Sequence, residues 1–421
     1  MLPAELSENL FDVVVAGAGP IGMTLASLLA RLNFRVLILE KRSHRSKMSR
    51  AIGITPPSLR ILSKLDLDQD CIAAGLKIQD ATVHGHSSPT GDLDFHDLPG
   101  DYPFILSLPQ SAFEDILEER ITETSGIELR KEVEVTGFKE TGESIRVFHS
   151  DPDNQPITAR WLIACDGAGS RLRELAGVTW QGRPYPCRFS MADFVDRSRL
   201  GSVAHLYFSR HGTIESFPLP GGQRRWIAQI VEGTPADLES SSDLNLASIH
   251  CRTGWAPAEE DRVSEWSTFS PQWLLCDQFF RGNTILCGDS AHVMSPIGGQ
   301  GMNTGLADAE ELVHRLVRIR QGQSAASELR TYQEVRRRAF LKASRFAAAC
   351  MWIGTRRGAV SARIRDGLVR GILKLGPVRP WLAQSFAMLP PGPPKKATEP
   401  PLTARPATCE TQSELPVSST T

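Results

Sequence analysis

Residues 12–40 constrain the fold more than any other part of this chain. A β-branched run, Asp12–Ala16, leads into the glycine pattern GAGPIG at positions 17–22 and then into an apolar helical stretch that ends near Leu32. Phe34–Leu39 has the composition of a second strand, and Glu40 follows it, twenty-three positions after the first glycine. Strand, Gly-x-Gly-x-x-Gly, helix, strand and acid, in this order, are typical of a βαβ unit that binds a dinucleotide.

Each part of this pattern has a physical role in such a unit. Gly17 allows the tight turn, Gly19 leaves room for a pyrophosphate beside the backbone, and Gly22 lets the helix pack closely on the strand. Glu40 would accept hydrogen bonds from a ribose diol. The alternative is a glycine-rich βα turn that binds nothing, and the acid at the expected distance argues against it.

A second glycine-rich stretch, GDSAHVMSPIGGQGMN at 288–303, follows a short apolar run that predicts a buried strand, Thr284–Cys287. Three glycines fall within four positions, and the residues that follow, Met302–Leu316, are periodic enough to predict a helix. Backbone N–H groups and the positive end of the helix dipole would face a ligand above the glycines, which suits a delocalised anion. A plain turn is the alternative.

A third stretch lies between these two. The apolar run Trp161–Cys165 predicts another buried strand, and Asp166 and Gly167 follow it directly. An acid and a glycine at the carboxyl end of a strand face the crevice in which α/β sheets bind ligands. Taken alone, Asp166 could equally be the N-cap of a helix.

In chain order, the first motif is Gly17–Gly22, the second is Asp166–Arg173 and the third is Gly288–Asn303. In this order and at this spacing, they resemble the motifs of the FAD-dependent aromatic hydroxylases. These are the single-component, class A flavoprotein monooxygenases related to para-hydroxybenzoate hydroxylase. The general resemblance extends from about Phe11 to Leu389. It implies an α/β fold, in which a Rossmann-type FAD-binding domain carries an inserted, mostly antiparallel β-sheet substrate domain and C-terminal helices. The motifs are specific for the family and much less specific for the substrate.

The resemblance also implies a set of FAD contacts, each at a position that matches a family motif. The glycines of the first motif would hold the pyrophosphate and Asp289 the ribityl chain, while Asp166 and Gly167 would serve both FAD and NAD(P)H. The expected cofactor-binding residues are Gly17, Ala18, Gly19, Pro20, Ile21, Gly22, Glu40, Lys41, Arg42, Arg50, Gln110, Val135, Asp166, Gly167, Asp289, Pro296, Gly298, Gly299, Gln300, Gly301, Met302 and Asn303.

Four of these assignments rest on single positions. Arg42 would lie over the adenine and Val135 against it, and Arg50 would contact the cofactor from a loop. Gln110, which opens a predicted helix at 110–124, would touch the ribityl chain.

The sequence departs from the family pattern at two positions. Ser49 stands where proline is common, and Glu311 stands where asparagine is common. Neither lies among the expected flavin contacts, so the expectation of FAD binding is kept.

At 421 residues, the chain suits one large α/β unit with an inserted second sheet. We expect the FAD-binding domain to consist of residues 1–80, 109–180 and 276–325, and the substrate domain of strands within 81–108 and a sheet at 181–275. C-terminal helices would occupy 326–389 and a disordered tail 390–421, since those last 32 residues include eight prolines and lack apolar periodicity.

The middle of the chain alternates in the manner of antiparallel strands, at Val203–Ser209, Thr213–Leu219 and Arg225–Val231. His205 and Tyr207 are two residues apart and so share one face, whereas Leu206 and Phe208 share the other. If the first face looks at the flavin, His205 or Tyr207 would hydrogen-bond a phenol as a substrate contact. Otherwise both are ordinary residues on a solvent-facing side.

Charge and cysteine content narrow the class of protein. Lys and Arg number 47 against 48 Asp and Glu, so no extensive nucleic-acid interface is expected. The eight cysteines include no CxxC pair, and His and Cys are not clustered at ligand spacings, so we expect reduced thiols and no metal site. Neither a signal peptide nor an apolar run long enough to span a bilayer is evident, which predicts a cytoplasmic protein.

The region from Arg336 to Pro380 differs in charge from the rest, with twelve Lys or Arg and one acid, Asp366. An apolar stripe at helical spacing runs through it, formed by Val360, Ile364, Leu368, Ile372 and Leu375. A basic amphipathic helix of this kind would rest on an anionic membrane, so peripheral membrane contact is one hypothesis. The alternative is that the stripe packs on the FAD-binding domain.

The chemistry implied by the resemblance is mostly that of the cofactor. NADPH or NADH, bound transiently, would reduce FAD, and a flavin C4a-hydroperoxide would deliver oxygen to an electron-rich ring. The predicted function is therefore NAD(P)H-consuming hydroxylation of an aromatic or polycyclic small molecule. The protein itself would exclude water and stabilise the anionic reduced flavin through backbone donors at 298–302.

Several alternatives share the FAD-binding domain. A flavin epoxidase of an isoprenoid or polyene would use the same oxygen chemistry. A non-catalytic FAD-binding protein that sequesters a reactive intermediate would retain FAD without oxidising NAD(P)H. Geranylgeranyl reductases and flavin-dependent halogenases are further relatives, but Trp226-Ile227 lacks the Trp-x-Trp-x-Ile-Pro pattern of the halogenases.

Overall fold

The computed structural model describes residues 10–44, 51–85, 89–153, 155–231, 233–375 and 378–390. Two expectations fall on other residues: Arg50 lies outside the described residues, and so does the tail apart from Pro390. Within the described residues the chain has a mixed α/β fold.

The elements are numbered here along the chain. The strands are β1 Leu10–Ala16, β2 Val36–Glu40, β3 Gly53–Ile54, β4 Leu76–Ile78, β5 Asp80–His84, β6 Pro89–Asp94, β7 Ile105–Ser107, β8 Ile127–Lys131, β9 Val135–Glu140, β10 Ile145–His149, β11 Ile157–Ala164, β12 Trp180–Pro184, β13 Phe189–Val195, β14 Ala204–Ser209, β15 Gly212–Leu219, β16 Gln223–Gln229, β17 Ser267–Phe269, β18 Gln272–Cys276, β19 Phe280–Arg281, β20 Thr284–Leu286 and β21 His292–Val293. The helices are α1 Pro20–Ala30, α2 Pro56–Ser63, α3 Asp68–Ala74, α4 Gln110–Glu123, α5 Arg171–Leu175, α6 Ser242–Thr253, α7 Gln300–Arg320, α8 Ala325–Gly354, α9 Ala359–Lys374 and α10 Val378–Phe386.

The larger sheet positions the three motifs. Its strand order is β19-β20-β11-β1-β2-β8, with the β9–β10 hairpin attached to β11. Neighbouring strands from β20 to β8 are parallel; Ala16 lies beside Ala164 on one side and Leu39 on the other, and Ala164 lies beside Leu286. The carboxyl ends of β20, β11, β1 and β2 are therefore level, so the loops that follow them begin at one edge of the sheet.

Helix α1 is apolar on all sides, and protein surrounds it. Ten of its eleven residues are buried. It contacts α7, α4 and the strands of the larger sheet. A helix of this composition is stable only when it is enclosed in this way.

The second sheet has the order β17-β13-β16-β15-β14-β5-β6. Its neighbours are antiparallel except β14 and β5, which run parallel. Register places Leu206 beside Glu215, and Glu215 beside Ile227, so these three side chains share one face. His205 and Trp226 share the other face through Ser216.

Different helices cover the two faces of this sheet. Helix α6 packs on the face that carries Trp226, in an apolar cluster with Phe194 and Ile249. The face that carries Leu206 and Phe208 packs on α9 and α10, in a cluster that includes Leu373. We call this second side, defined by Leu206, Phe208, Glu215, Phe217 and Ile227, the inner face.

The apolar stripe of α9 is exposed. Val360, Ile364, Leu368 and Leu375 expose 72%, 67%, 50% and 55% of their surface, whereas Ala362, Arg365 and Leu373 are the buried residues of the helix. The alternative in which this stripe packs on the FAD-binding domain is wrong, because other residues make the inward side of the helix. In the described part of the chain, no helix is both long enough and apolar enough to cross a membrane.

Several element boundaries differ from the sequence-based expectation by a few residues, and two of the differences follow from residues with a positive φ. Strand β2 begins two residues after the predicted start, because Asn33, with a φ of 59°, belongs to a turn that follows α1. Helix α7 begins before the predicted Met302 because Gly299, with a φ of 65°, directs the chain into the helix at Gln300.

Substitution of Gly22 tests the close packing of α1 on the first motif. A Cβ at Gly22 would lie 2.1 Å from the carbonyl oxygen of Gly17, whereas a Cβ at Gly19 would meet no atom within 4 Å. We expect Gly22→Ala to lower the free energy of unfolding of the cofactor-free protein by about 1–3 kcal/mol through overpacking. Gly19→Ala should leave it unchanged. Urea denaturation of both variants measures the difference; equal stabilities would contradict the packing role of Gly22.

Candidate active site

The first motif forms a tight turn over the neighbouring strand. Gly17 has a φ of 107°, and a Cβ there would lie 2.5 Å from the carbonyl oxygen of Cys165. The space beside Gly19 is open. Ala18 follows the turn, Pro20 is the first residue of α1, and Ile21 packs against the core. The loop has a compact base and an open side, as a pyrophosphate site requires.

Glu40 is buried at the end of β2 and braces this loop. Its carboxylate accepts hydrogen bonds from the backbone N–H groups of Ala18 (2.8 Å) and Arg42 (3.0 Å), and from Nε of Arg42 (2.8 Å). Burial by itself raises the pKa of Glu40, but the hydrogen bonds from Arg42 and Ala18 hold it below its usual value. Nη2 of Arg42 donates a fourth, longer hydrogen bond (3.4 Å). Because a charged carboxylate accepts about four hydrogen bonds, a ribose hydroxyl would take the place of this longest contact.

Asp166 of the second motif has one satisfied and one unsatisfied oxygen. Its Oδ2 accepts a hydrogen bond from the backbone N–H of Leu172 (3.3 Å). Its Oδ1 is buried and has no hydrogen-bond partner among the described residues. Gly167, with a φ of 84°, turns the chain away from the strand and has open space around it. A buried acceptor without a donor is costly unless a ligand supplies one.

Arg173 ties the second motif to the third. Its Nη1 donates hydrogen bonds to the carbonyl oxygens of Ala168 (3.0 Å) and Ser290 (3.2 Å), and its guanidinium lies 3.7 Å from the ring centroid of Trp180. The two loops are therefore held at a fixed separation by one buried cation.

The third motif begins with a turn at Gly288, whose φ is 67°. Asp289, the next residue, keeps accessible surface, although burial among its neighbours raises the pKa of its carboxyl. Its carboxylate forms no hydrogen bond or ion pair with the described residues. It follows β20, just as Asp166 follows β11. Two carboxylates with free acceptor capacity therefore follow neighbouring strands of the sheet.

A buried charge cluster that the sequence did not predict lies behind this loop. Asp308, which has no exposed side-chain surface, accepts hydrogen bonds from Nε2 of His292 (2.7 Å), Nε of Arg336 (2.5 Å) and the backbone N–H of Gly288 (3.2 Å). Burial alone would raise the pKa of Asp308, but His292 and Arg336 lower it further than burial raises it. The cluster joins the third motif to α7 and α8.

Helix α7 begins where the third motif ends. Gly298 and Gly299 have φ values of 86° and 65°, and Pro296, just before them, is exposed. The first N–H groups of any α-helix lack acceptors within the helix. Gly301 and Met302 in this first turn are half-buried. The loop therefore presents N–H donors and the positive end of a helix dipole.

Two residues of this turn use their side chains inside the protein. Oδ1 of Asn303 accepts hydrogen bonds from the backbone N–H (2.9 Å) and hydroxyl (3.1 Å) of Thr55, and its Nδ2 donates to the carbonyl oxygens of Gly53 (2.8 Å) and Gly299 (2.7 Å). Nε2 of Gln300 donates to the carbonyl oxygen of Ser385 in α10 (3.0 Å). A flavin contact from either residue stays a prediction and would come from its backbone.

The other expected contacts lie on neighbouring elements. Gln110 is the first residue of α4 and donates from Nε2 to Glu114 (2.8 Å). Val135 is buried at the start of β9. Lys41 and Arg42 are exposed after β2. Their contacts with the cofactor stay predictions.

His205 and Tyr207 lie on the face of the second sheet that α6 covers. Nδ1 of His205 is 2.9 Å from Nε2 of His84, and the ring of His84 stacks on that of Tyr207 with centroids 4.2 Å apart. Burial lowers the pKa of His205 to about 4. His205 is buried and Tyr207 half-buried, so they do not form a solvent-facing side. Their role as substrate contacts stays a prediction, and their place opposite the inner face favours a structural role.

The inner face meets the third motif through the C-terminal helices. A methyl group at Gly298 would lie 3.8 Å from the ring of Phe386 in α10. Phe386 packs edge-on against Phe346 of α8, with centroids 5.0 Å apart, and Phe386 also borders the apolar cluster of the inner face. The inner face, α8 and α10 therefore form apolar walls next to the N-terminus of α7.

The sequence and the fold both match known proteins. The sequence matches the family described as FAD binding domain over residues 11–347. The chain belongs to this FAD-binding family.

Relatives in the family include named monooxygenases. A 6-methylpretetramide 4-monooxygenase from Streptomyces rimosus is 30% identical over 325 residues, which cover 76% of this chain and 58% of that protein. A para-nitrophenol 4-monooxygenase from Pseudomonas sp. strain WBC-3 is 26% identical over 366 residues, 85% of this chain and 91% of that protein. The chain thus spans less than two thirds of the first of these relatives.

A solved structure has the same fold. The p-nitrophenol 4-monooxygenase from Pseudomonas putida DLL-E4 superposes with a TM-score of 0.82 at 24% identity, covering 90% of this chain and 97% of that one. At this identity the likeness concerns the fold alone.

The residues at the sheet edge fit FAD. Oδ1 of Asp166 is a buried acceptor without a donor among the described residues. The side of Gly19 is open where a Cβ would otherwise point. The carboxylate of Asp289 is exposed, and the N-terminus of α7 offers donors for an anionic edge. Hydroxyl donors of a ribityl chain, a pyrophosphate and an anionic ring edge are groups that FAD carries.

The charge cluster around Asp308 should be essential for stability. We expect Asp308→Ala to lower the free energy of unfolding by about 3–5 kcal/mol, because it leaves Arg336 buried without its anion. Glu310→Ala, two residues along the same helix, removes a half-exposed partner of Lys64 and should cost less than about 1 kcal/mol. Urea denaturation of the two variants compares them; similar losses would contradict a special role for the buried cluster.

Proposed function

We propose that this chain is an FAD-dependent monooxygenase that consumes NAD(P)H and hydroxylates an aromatic or polycyclic small molecule. The observation that carries the proposal is the meeting of an FAD-type site with apolar walls. The N-terminus of α7 lies on one side, and the inner face with Phe346 and Phe386 lies on the other. The names of the relatives, which are monooxygenases of phenols and polycyclic compounds, support it.

Each part of the site would have a separate task. The loop at 17–22 would hold the pyrophosphate, Glu40 the ribose, and Asp166 and Asp289 the polyol chain between them. The donors at the start of α7 would stabilise the negative charge that reduction places on the isoalloxazine. When bound and reduced, FAD supplies the activation of oxygen.

The apolar walls would keep water from the reaction. Phe346 and Phe386 pack against each other next to Gly298. Excluding water prevents side reactions of a reactive intermediate and strengthens the electrostatic interactions inside the site. An aromatic substrate would pack against the same walls, since apolar and aromatic side chains dominate small-molecule pockets.

The decisive experiment is anaerobic reduction of the FAD-loaded protein by NADPH and by NADH. Phenolic, polycyclic and isoprenoid compounds are added in turn, and the loss of flavin absorbance is followed. We expect an aromatic compound to accelerate the reduction and to be hydroxylated when oxygen is admitted. Acceleration by isoprenoids alone would indicate an epoxidase. Firmly bound flavin that neither nicotinamide reduces would indicate a non-catalytic FAD-binding protein.

Two substitutions test the cofactor site. Gly19→Val should abolish FAD binding by placing a side chain where the pyrophosphate would lie, and Asp289→Ala should weaken retention by removing an acceptor for the ribityl chain. Asp97→Ala, at an exposed loop position, is the control and should keep the wild-type flavin content. The flavin-to-protein absorbance ratio after gel filtration is the measurement. A fully loaded Gly19→Val or Asp289→Ala protein would refute the corresponding assignment.

We also propose that α9 places the protein on anionic membranes. Its exposed stripe is flanked by exposed basic residues, Arg363, Arg370 and Lys374, and exposed Trp352 and Trp381 lie on the adjoining helices. The acid of this helix, Asp366, lies against Arg365 and is half-buried. Basic residues near an anionic surface contribute about 1 kcal/mol each, and the apolar stripe would enter the headgroup region.

Vesicle sedimentation tests this surface. At low salt, the protein should sediment with phosphatidylserine-containing vesicles and not with pure phosphatidylcholine. Ile364→Glu should abolish sedimentation, whereas Leu244→Glu, at a comparably exposed apolar position on α6, should not. If Ile364→Glu instead converts a dimer into a monomer without changing vesicle binding, the surface joins two copies of the chain.

A further inference from the structure

Glu215 is a buried carboxylate that lacks a protein partner. It lies on β15, the central strand of the second sheet, and is 7% exposed. Among the described residues none donates a hydrogen bond to it and no cation pairs with it. Burying a charged group without a partner is unfavourable. Such groups are found at functional sites more often than elsewhere.

Both oxygens of the Glu215 carboxylate keep accessible surface, although the residue is buried. Ten polar side-chain atoms in the described residues are both sealed by protein and without a hydrogen-bond partner, and neither oxygen of Glu215 is among them. Because both oxygens also lack a partner, both keep accessible surface. The residual exposure of this residue therefore includes the carboxylate itself.

The Glu215 carboxylate lies on the side of the sheet that meets the third motif through α8 and α10. Glu215 belongs to the inner face, between Leu206 of β14 and Ile227 of β16. Opposite it is Cys350 of α8, whose pKa is raised to about 12 by burial first and by the Glu215 charge second. Phe346 lies one helical turn before Cys350 and contacts Phe386, which borders Gly298. The charge effect of Glu215 on Cys350 and the ring contact of Phe346 with Phe386 place this part of α8 between Glu215 and the third motif.

Other charged groups on this face are already paired. Arg225 of β16 and Asp193 of β13 form a two-point ion pair, with Nε to Oδ1 at 2.7 Å and Nη2 to Oδ2 at 2.8 Å. Arg365 of α9 binds Asp366 and the carbonyl oxygens of Phe208 and Ser209. Among the charged groups described on the inner face, Glu215 is thus the one open to a ligand.

We propose that Glu215 anchors the substrate of this enzyme by accepting a hydrogen bond from its phenolic O–H or aromatic N–H group. The inference rests on the proposed function and narrows the substrate class. The contact would select neutral ring systems that carry a hydrogen-bond donor. It would disfavour substrates that place a carboxylate beside Glu215, because two buried like charges repel.

The same contact would activate the ring. The phenolic O–H bond breaks, the proton moves to a carboxylate oxygen of Glu215, and the electron pair stays on the substrate oxygen. Burial raises the pKa of Glu215 to about 7, which brings it closer to that of a phenol, about 10. The resulting phenolate is more electron-rich, as electrophilic oxygen insertion requires. The proton returns to the product on release.

Binding of matched ligands to the FAD-loaded protein tests this role. The probes are 2-naphthol, 2-methoxynaphthalene and 2-naphthoate, titrated at pH 8 by perturbation of the flavin absorbance. We expect the wild type to bind the naphthol about tenfold more tightly than its methyl ether, the worth of a hydrogen bond to a charged group, and to bind the naphthoate most weakly. Glu215→Gln should reduce the naphthol preference and the naphthoate penalty. Glu260→Gln, at an exposed position, should keep both.

The pH dependence provides a readout that a purely structural role would not share. The naphthol preference of the wild type should fall as pH decreases through about 7, where Glu215 becomes protonated, and should be independent of pH in Glu215→Gln.

The pH dependence of the free energy of unfolding gives a second check. The folded pKa lies above the ordinary 4.5, so wild-type stability should fall as pH rises from about 4.5 through about 7, more than in Glu215→Gln.

Three outcomes would overturn the inference: no binding of naphthol to the wild type, no preference for naphthol over its ether, or the same preference in Glu215→Gln. These failures are separate from failure of the proposed function. If the naphthol preference depends on Glu215 but nicotinamides do not reduce the flavin, the anchor stands and the monooxygenase proposal falls. If the wild type hydroxylates a phenol and Glu215→Gln keeps the same KM and pH profile, only the anchor falls.

Discussion

The position of the third cofactor loop depends on one buried carboxylate. Asp308 accepts hydrogen bonds from the backbone of Gly288 and from the side chains of His292 and Arg336. A buried charge that loses its partners is strongly destabilising. The loop, α7 and α8 must therefore dock together before the charge is satisfied, and the orientation of Asp289 is coupled to the packing of two long helices.

The remaining cofactor loops depend on the register of the parallel sheet. Alignment of Ala16, Ala164 and Leu286 brings the ends of β1, β11 and β20 to one level. Backbone hydrogen bonds between these strands continue into the loops, from Cys165 to Ala16 and from Cys287 to Ala164. The sheet thereby sets the spacing of the loops, while the second sheet and the C-terminal helices enclose the space in front of them. In the proposed function, different layers of the fold would bind the cofactor and select the substrate.

The parts of the site that could be predicted are those whose contacts are local in sequence. The turn at Gly17 and the acid at Glu40 belong to one βαβ unit, so a pattern within about thirty residues encodes them. The Asp308 cluster joins residues on three elements, and an aspartate within an amphipathic helix ordinarily indicates a solvent-exposed position. Glu215 was in a predicted strand, but alternation of side chains separates two faces without saying which one meets the cofactor. The same ambiguity left the environment of His205 and Tyr207 open.

By itself the sequence determined the α/β class, the three motif loops and the strands and helices that flank them. Those features follow from glycine conformation and apolar periodicity, which act over a few residues. The tertiary structure decided that Glu215 lies on the inner face, that α6 covers the face with His205, and that the stripe with Ile364 stays exposed. These outcomes depend on which non-local surfaces bury the most apolar area against each other, and no short segment encodes that choice.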